Sequence, residues 1–478
     1  MDQFDLIVVG GGINGAAIAR DAAGRGLDVL LVEKHDLASH TSSASSKLIH
    51  GGLRYLEQYE FRLVRESLHE RAVLLRTAPH VVRPLRFVLP DPPGGRPFWL
   101  LRLGLLLYDL LSIGGELPRS RRLKAGDPAL KPGFRCAAYW DAMVDDARLV
   151  LLNALDAKER GAEIATRTAL LSARRDGGAW TVALSGGRTV TARMLVNAAG
   201  PWVAEVLGAR LGSASASRVR LVKGSHILVP ALWQGDQAYI LQQEDGRVVF
   251  ALPYGGASLI GTTDMPVAAP EDAVVTPQEV DYLCAAANAY FARRTSPAEL
   301  LWSYSGVRAL YDDGAAEAKD VTRDFHLELD EGPGPKLLSV FGGKITTARA
   351  LALAALDALG VGGLKFTATS PLPGGNVAPA FVARVEALKA WLPPAMLDRM
   401  LHAYGTRLET LLGDAERLAD LGRHFGAGLY ERELRYLIET EFARTADDIL
   451  WRRTKLGLAM TRKEQRVLAD WLGKSPHP

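Results

Sequence analysis

Residues 6–9 form a short apolar run, rich in β-branched side chains, that leads directly into Gly10, Gly12 and Gly15. Such a run reads as a buried parallel strand, and the glycines supply G-x-G-x-x-G at its end. Gly10 permits the tight turn, Gly12 lets a pyrophosphate approach the backbone, and Gly15 lets the next helix pack on the strand, with Asn14 in the same turn. Residues 16–23 continue as a helix of small side chains, whose free N–H groups and dipole suit phosphate. A second apolar strand over 29–32 ends at Glu33, a carboxylate placed to accept hydrogen bonds from a ribose 2′-OH. This succession predicts an adenine dinucleotide site in a Rossmann-like α/β domain. The acid argues against NADP and leaves FAD and NAD both open.

A chain of 478 residues has room for two to four domains and a large core. Its 48% hydrophobic and 23% charged residues suit a globular protein, and a net charge of +3 gives no reason to expect nucleic acid as a partner. Cys136 and Cys284 stand far apart, which argues against a disulfide scaffold, a thiol redox pair or a cysteine metal site. No His pair has metal-ligand spacing, and neither G-x-S-x-G nor a Walker A sequence occurs. No metal is expected. The first strand starts within a few residues of Met1, so no signal peptide is expected either.

Along the chain, three further stretches combine small residues with a strand or loop. The polar tract with Thr41, Ser42, Ser46 and Lys47 runs into His50-Gly51-Gly52-Leu-Arg54-Tyr55. An apolar strand over 189–196 ends in Asn197-Ala-Ala-Gly200-Pro-Trp202, and one over 337–341 ends in Gly342-Gly343-Lys344-Ile-Thr346-Thr347. Each suits a loop whose backbone lies against a bound cofactor. Residues 219–329 alternate in short strands with Pro and Gly punctuation, predicting a mixed or antiparallel substrate-side sheet. The expected division is therefore an oxidoreductase region over 1–375, with its dinucleotide part at roughly 1–85, 140–215 and 330–370. The substrate part takes roughly 86–139 and 216–329, and an all-helical domain follows over 376–478.

Residues 98–111 are the most apolar segment, too short for the ~20 residues a bilayer span needs. Arg102 and Asp109 share one face of that helix, and Arg119, Arg121, Arg122 and Lys124 follow it. An apolar helix beside a basic cluster suits an anionic bilayer interface. A buried core helix fits the sequence equally well.

Lys47, Arg54, Arg308, Arg323 and Lys344 are cations on or near glycine-containing loops, a set that suits a phosphorylated substrate. His50, Tyr55, His226 and Asp264 could orient hydroxyls or move a proton.

The stretch Ser42-Ser-Ala-Ser-Ser-Lys-Leu-Ile-His-Gly-Gly-Leu-Arg-Tyr-Leu56 resembles the signature of the FAD-dependent glycerol-3-phosphate dehydrogenases. The resemblance continues through Trp140-Asp-Ala-Met-Val-Asp-Asp-Ala-Arg-Leu149, Lys223-Gly-Ser-His226, Gly261-Thr-Thr-Asp264, Tyr304-Ser-Gly-Val-Arg308, Ser339-Val-Phe-Gly-Gly-Lys-Ile-Thr-Thr347 and Ala446-Asp-Asp-Ile-Leu-Trp-Arg-Arg-Thr454. It implies a fold like that of D-amino-acid oxidase, with FAD as cofactor. It also implies oxidation of sn-glycerol 3-phosphate to dihydroxyacetone phosphate, with electrons passed to ubiquinone or menaquinone by a homodimer seated on the cytoplasmic face of the inner membrane. On this resemblance Arg54, Tyr55, Arg308, Arg323 and Lys344 surround the substrate. Arg308 and Lys344 are then expected nearest the reacting oxygen and Arg54 and Arg323 at the phosphate, with His50, His226 or a neutral Lys344 as base. Two departures are Ala309, where the family more often has Pro, and a short insert near residue 186. Passage of the electrons to O2, as in a glycerol-3-phosphate oxidase, is the nearest alternative, followed by another oxidase of the same flavoprotein group.

Overall fold

The computed structural model describes residues 2–91, 97–112, 115–124, 126–213, 219–312, 324–330, 332 and 334–474. Its first sheet has eight strands. Asp2–Val9 lies centrally, paired in parallel with Val29–Glu33 on one side and Thr189–Asn197 on the other. Glu163–Thr166 and Lys336–Phe341 extend the sheet in parallel, and His326–Asp330 closes one edge antiparallel. The carboxyl ends of these parallel strands carry Gly10, Glu33, Asn197 and Gly342, the positions where open α/β sheets bind ligands.

Alternation of side chains across the pleat explains why the strands are apolar throughout. Leu6, Val8, Val29 and Leu31 face a core shared with the helices Ile13–Gly24, Asp146–Glu159 and Ala348–Leu359. Ile7, Val9, Leu30 and Val32 face the opposite side, against Trp180, Val182 and Leu207. The glycine turn is as tight as its sequence requires: a Cβ on Gly15 would stand 1.9 Å from the Gly10 carbonyl oxygen, and one on Gly10 2.4 Å from that of Ala198.

A second, ten-stranded sheet is antiparallel except where Ala238–Gln242 runs parallel to Val82–Pro90. Val88, Ile227 and Val229 face the helix Pro277–Tyr290, whereas Phe87, Leu89 and Leu228 face Leu105 and Tyr108 of the helix Phe98–Leu111. The boundaries between the two sheets differ locally from the sequence division. Leu48–Ile49, all of Val82–Pro90 and all of Cys136–Val144 join the second sheet, and His326–Asp330 joins the first. Short strands take the sheet that their partners offer, which local sequence does not encode.

Residues 381–472 build a core of their own from five helices and shorter turns. The expectation of an all-helical domain needs one correction. His424–Gly426 and Leu429–Tyr430 form a hairpin, enabled by positive φ at Gly426, Ala427 and Gly428. A buried Arg148–Glu441 pair joins this domain to the first, and Arg148 Nη2 also donates to the Ala403 carbonyl at 2.6 Å.

Candidate active site

A cavity of about 430 Å³ runs along the carboxyl ends of the first sheet toward the second. At one end Gly10, Gly12 and Asn14 meet Glu33. Thr41, Ser42 and Ser46 cover the middle together with Gly200 and Trp202. Gly342, Gly343 and Thr346 line the cavity beside Asn14, and His50, Tyr55, Arg308 and Lys344 also line it. Loops separated by more than three hundred residues thus meet on one surface, as their shared small-residue composition suggested.

The helix Ile13–Gly24 has Gly12 as N-cap with no side-chain cap. Ser42 Oγ accepts from the Ile13 N–H at 3.0 Å, and Asn14 Nδ2 donates to the Gly342 carbonyl at 3.1 Å. These bonds lock the polar loop and the Gly342-Gly343 turn onto the helix N-terminus. Both glycines have positive φ, and a Cβ on Gly343 would stand 2.9 Å from Asn14. Glu33 accepts from the Gly11 N–H at 2.7 Å and from the His35 N–H at 2.8 Å. Burial raises its pKa, against the pull of those two donors.

At the far end, the Lys344 ammonium is buried with no hydrogen-bond acceptor among the described residues, 4.2 Å from the centre of the Tyr55 ring. Arg308 stands on the strand Trp302–Tyr311, held by the Asp264 carboxylate and by a 3.3 Å bond to the Thr263 carbonyl. An unpaired buried cation is costly, so the Lys344 position calls for a ligand with negative or developing negative charge.

Several expected residues do not line the cavity. Gly15 packs under the glycine turn, as its part in the motif requires. Lys47 was expected to touch the cofactor, but its ammonium is buried against Asp146 Oδ2 at 2.9 Å, with both side chains almost fully covered. Asp146 also accepts from Ser45 Oγ at 2.7 Å, so Lys47 fixes the polar loop from behind. His226 is likewise hidden. Its Nε2 lies 2.9 Å from Ser46 Oγ and its ring stacks on Tyr304, while burial, followed by the charges of Lys47 and Arg308, pushes its pKa down to about 3. The Gly51 N–H is taken by the Tyr108 hydroxyl at 2.9 Å, and Gly52 supports the Tyr55 ring. Arg323 and the Arg54 side chain lie outside the described residues.

The cavity also contains residues that sequence reasoning missed. Thr168, Ala169 and Leu170 follow the strand Glu163–Thr166, and Lys34 and His40 follow Glu33. Lys34 Nζ sits 3.7 Å from the Trp202 ring, and burial holds His40 down to about 4. Recognising residues 163–166 as a parallel strand beside Glu33 would have pointed to the residues after its carboxyl end.

A family profile described as "FAD dependent oxidoreductase" matches residues 5–349, and one described as "C-terminal domain of alpha-glycerophosphate oxidase" matches residues 365–472. The chain is 51% identical over 493 residues to a glycerol-3-phosphate dehydrogenase of Pseudomonas aeruginosa, covering 100% of this chain and 96% of that one. The chain belongs to the FAD-dependent oxidoreductases of the glycerol-3-phosphate dehydrogenase group. This flavoenzyme is also 49% identical over 491 residues to a D-erythritol 1-phosphate dehydrogenase of Brucella abortus, with 98% of each chain covered. Among solved structures it resembles the glycerol-3-phosphate dehydrogenase of Bacillus halodurans complexed with FAD, at a TM-score of 0.73 and 26% identity, covering 98% of this chain and 94% of that one.

FAD is the cofactor of this flavoenzyme, and the cavity fits it. The capless N-terminus at Gly12 accommodates pyrophosphate, Glu33 lies where a ribose hydroxyl is expected, and the Gly342-Gly343 turn leaves a wall without side chains.

Proposed function

We propose that this flavoenzyme oxidises sn-glycerol 3-phosphate to dihydroxyacetone phosphate and delivers the electrons to a membrane quinone, ubiquinone or menaquinone. The observation that carries this reading is the unpaired, buried Lys344 ammonium in a cavity shared with Arg308. FAD, when bound, supplies the acceptor for the C2 hydride. Lys344 and Arg308 stabilise the negative charge that develops on the C2 oxygen, and Asp264 keeps the Arg308 guanidinium in place. Arg54 and Arg323 hold the phosphate, with Tyr55 beside them. His50, on the cavity wall, takes the hydroxyl proton. His226 lies off the cavity and is too weak a base at neutral pH, so its part is to position Ser46.

Delivery to quinone is supported by the helix Phe98–Leu111. Trp99, Leu103, Leu106 and Leu110 are exposed along it, with Arg119, Arg121, Arg122 and Lys124 exposed nearby. Asp109 Oδ2 accepts from Ser120 N at 3.0 Å and Ser120 Oγ at 2.7 Å, which ties the apolar face to the basic segment. No helix among the described residues is long and apolar enough to cross a membrane. The reading is therefore of a homodimer seated on the cytoplasmic face of the inner membrane, each helix lying in the headgroup region.

Similarity to the D-erythritol 1-phosphate dehydrogenase favours a second reading, in which a longer polyol phosphate is the substrate. Relative kcat/KM for glycerol 3-phosphate and D-erythritol 1-phosphate separates the two, and a preference for the former is expected. Peroxide formation matching the turnover rate without added quinone would assign the electrons to O2 instead.

A further inference from the structure

One turn of the C-terminal domain, Asp448–Arg453, grips two loops at the adenosine end of the FAD cavity. The first loop follows Glu33. Its Asp36 carboxylate is buried between Arg452 Nε at 2.6 Å and Arg453 Nη2 at 2.9 Å. Arg453 is itself fixed to its own domain through the Glu441 carbonyl, with Nη2 at 2.7 Å. The second loop contains Arg167, which has positive φ and whose Nη2 reaches Asp448 Oδ2 at 2.6 Å. Asp448 is held in turn by the Arg444 and Thr445 N–H groups at 2.7 and 3.0 Å, and Arg452 bridges it to Asp36.

The loops so gripped also bond to each other and to the glycine turn. Arg167 N–H donates to the His35 carbonyl at 2.7 Å, and Thr168 N–H to that of Glu33 at 2.8 Å. Ala38 N–H donates to the Gly11 carbonyl at 3.1 Å, and Gly11 N–H returns to Glu33. Glu33, Thr168 and Ala38 line the cavity, whereas Asp36, Arg167 and Arg453 do not. Undocking the turn would leave Asp36 and Asp448 buried without their guanidinium partners, so docking favours these loop positions over others.

We propose that the Asp448–Arg453 turn is a clamp that presets the adenosine end of the cavity, making FAD retention a property of the C-terminal domain as well as of the dinucleotide motif. Asp36, Arg167 and Arg453 are positioning residues in this scheme. A preset loop spares the cofactor the entropic cost of ordering it.

The test uses the full-length protein stripped of flavin and titrated with FAD, for wild type, Asp36→Asn, Arg167→Met and Arg453→Lys. The FAD Kd is expected to rise about 10-fold or more in Asp36→Asn and Arg167→Met. The Tm of the Arg167→Met apoprotein should stay at the wild-type value, and Arg453→Lys should recover much of the affinity that Asp36→Asn removes. Arg167 is partly exposed, so Arg167→Met decides the matter if Asp36→Asn does not fold. An unchanged Kd in folded Asp36→Asn or Arg167→Met, or a loss of affinity in Arg167→Met that follows a matching fall in its apoprotein Tm, overturns the proposal. FAD binding is read directly, so the outcome does not depend on which alcohol is oxidised.

Discussion

The part proposed for Lys344 rests on what surrounds it: a glycine turn on one side, the Tyr55 ring on the other, and no carboxylate bonded to its ammonium. A cation placed this way interacts more strongly with an oxyanion than with a neutral alcohol, which is the condition for lowering a barrier. Lys344→Met should therefore reduce kcat/KM by about 100-fold or more while FAD stays bound, as steady-state kinetics with a flavin spectrum would show. A wild-type kcat/KM would remove Lys344 from the reaction. At this scale the structure brings Gly10, Gly12, Glu33, Arg308, Gly342, Gly343 and Lys344 to one cavity, each from a motif with its own local physics. Sequence reasoning misplaced Lys47 and His226, because what hides them comes from distant parts of the chain. The partners are Asp146 for Lys47, and Ser46 and Tyr304 for His226.

Among the elements, the long strand Val219–Pro230 is pinned to the helix Pro277–Tyr290 by one carboxylate. Glu279 pairs with Lys223 Nζ at 2.9 Å, accepts from Ser225 Oγ at 2.7 Å and Thr263 Oγ1 at 2.8 Å, and forms the capping box with Thr276. Opposed by burial, these bonds lower its pKa from 4.5 to about 2. Because the folded value lies below the unfolded one, the stabilisation is fully present above pH 4.5 and is lost as pH falls toward 2. Glu279→Gln should cost about 2–3 kcal/mol at neutral pH by leaving the buried Lys223 without a counter-charge, its ammonium keeping only the Val274 carbonyl. Denaturant melts should show that difference shrinking as the pH drops below the carboxylate range, and a pH-independent difference would mean that packing alone is responsible. Periodicity revealed most of these elements. It could not assign Leu48–Ile49 to a sheet, because that strand is completed only by Cys136–Val144, distant in sequence, and it placed His326–Asp330 at the boundary, although that strand pairs with the next one, Lys336–Phe341.

In the whole molecule, two sheets meet at one cavity, a C-terminal domain bonds to the loops behind Glu33, and an apolar helix lies with one face exposed on the second sheet. The sequence left that helix balanced between core and membrane surface, and the structure buries one of its faces and exposes the other. Leu105 and Tyr108 are buried while Leu103, Leu106 and Leu110 are exposed. If the exposed face enters the headgroup region, Leu106→Glu combined with Leu110→Glu should shift the protein from vesicles of anionic lipid to the soluble fraction. Because both side chains are already more than half exposed, stability should change by only about 0.5 kcal/mol, and undiminished vesicle binding would refute the surface role. The central claim, that this cavity brings a phosphorylated secondary alcohol to FAD, is tested most directly by adding glycerol 3-phosphate to the oxidised holoenzyme without oxygen. The visible flavin absorbance should bleach, with dihydroxyacetone phosphate formed in equal amount to the flavin reduced. A flavin spectrum left unchanged by saturating glycerol 3-phosphate would contradict it.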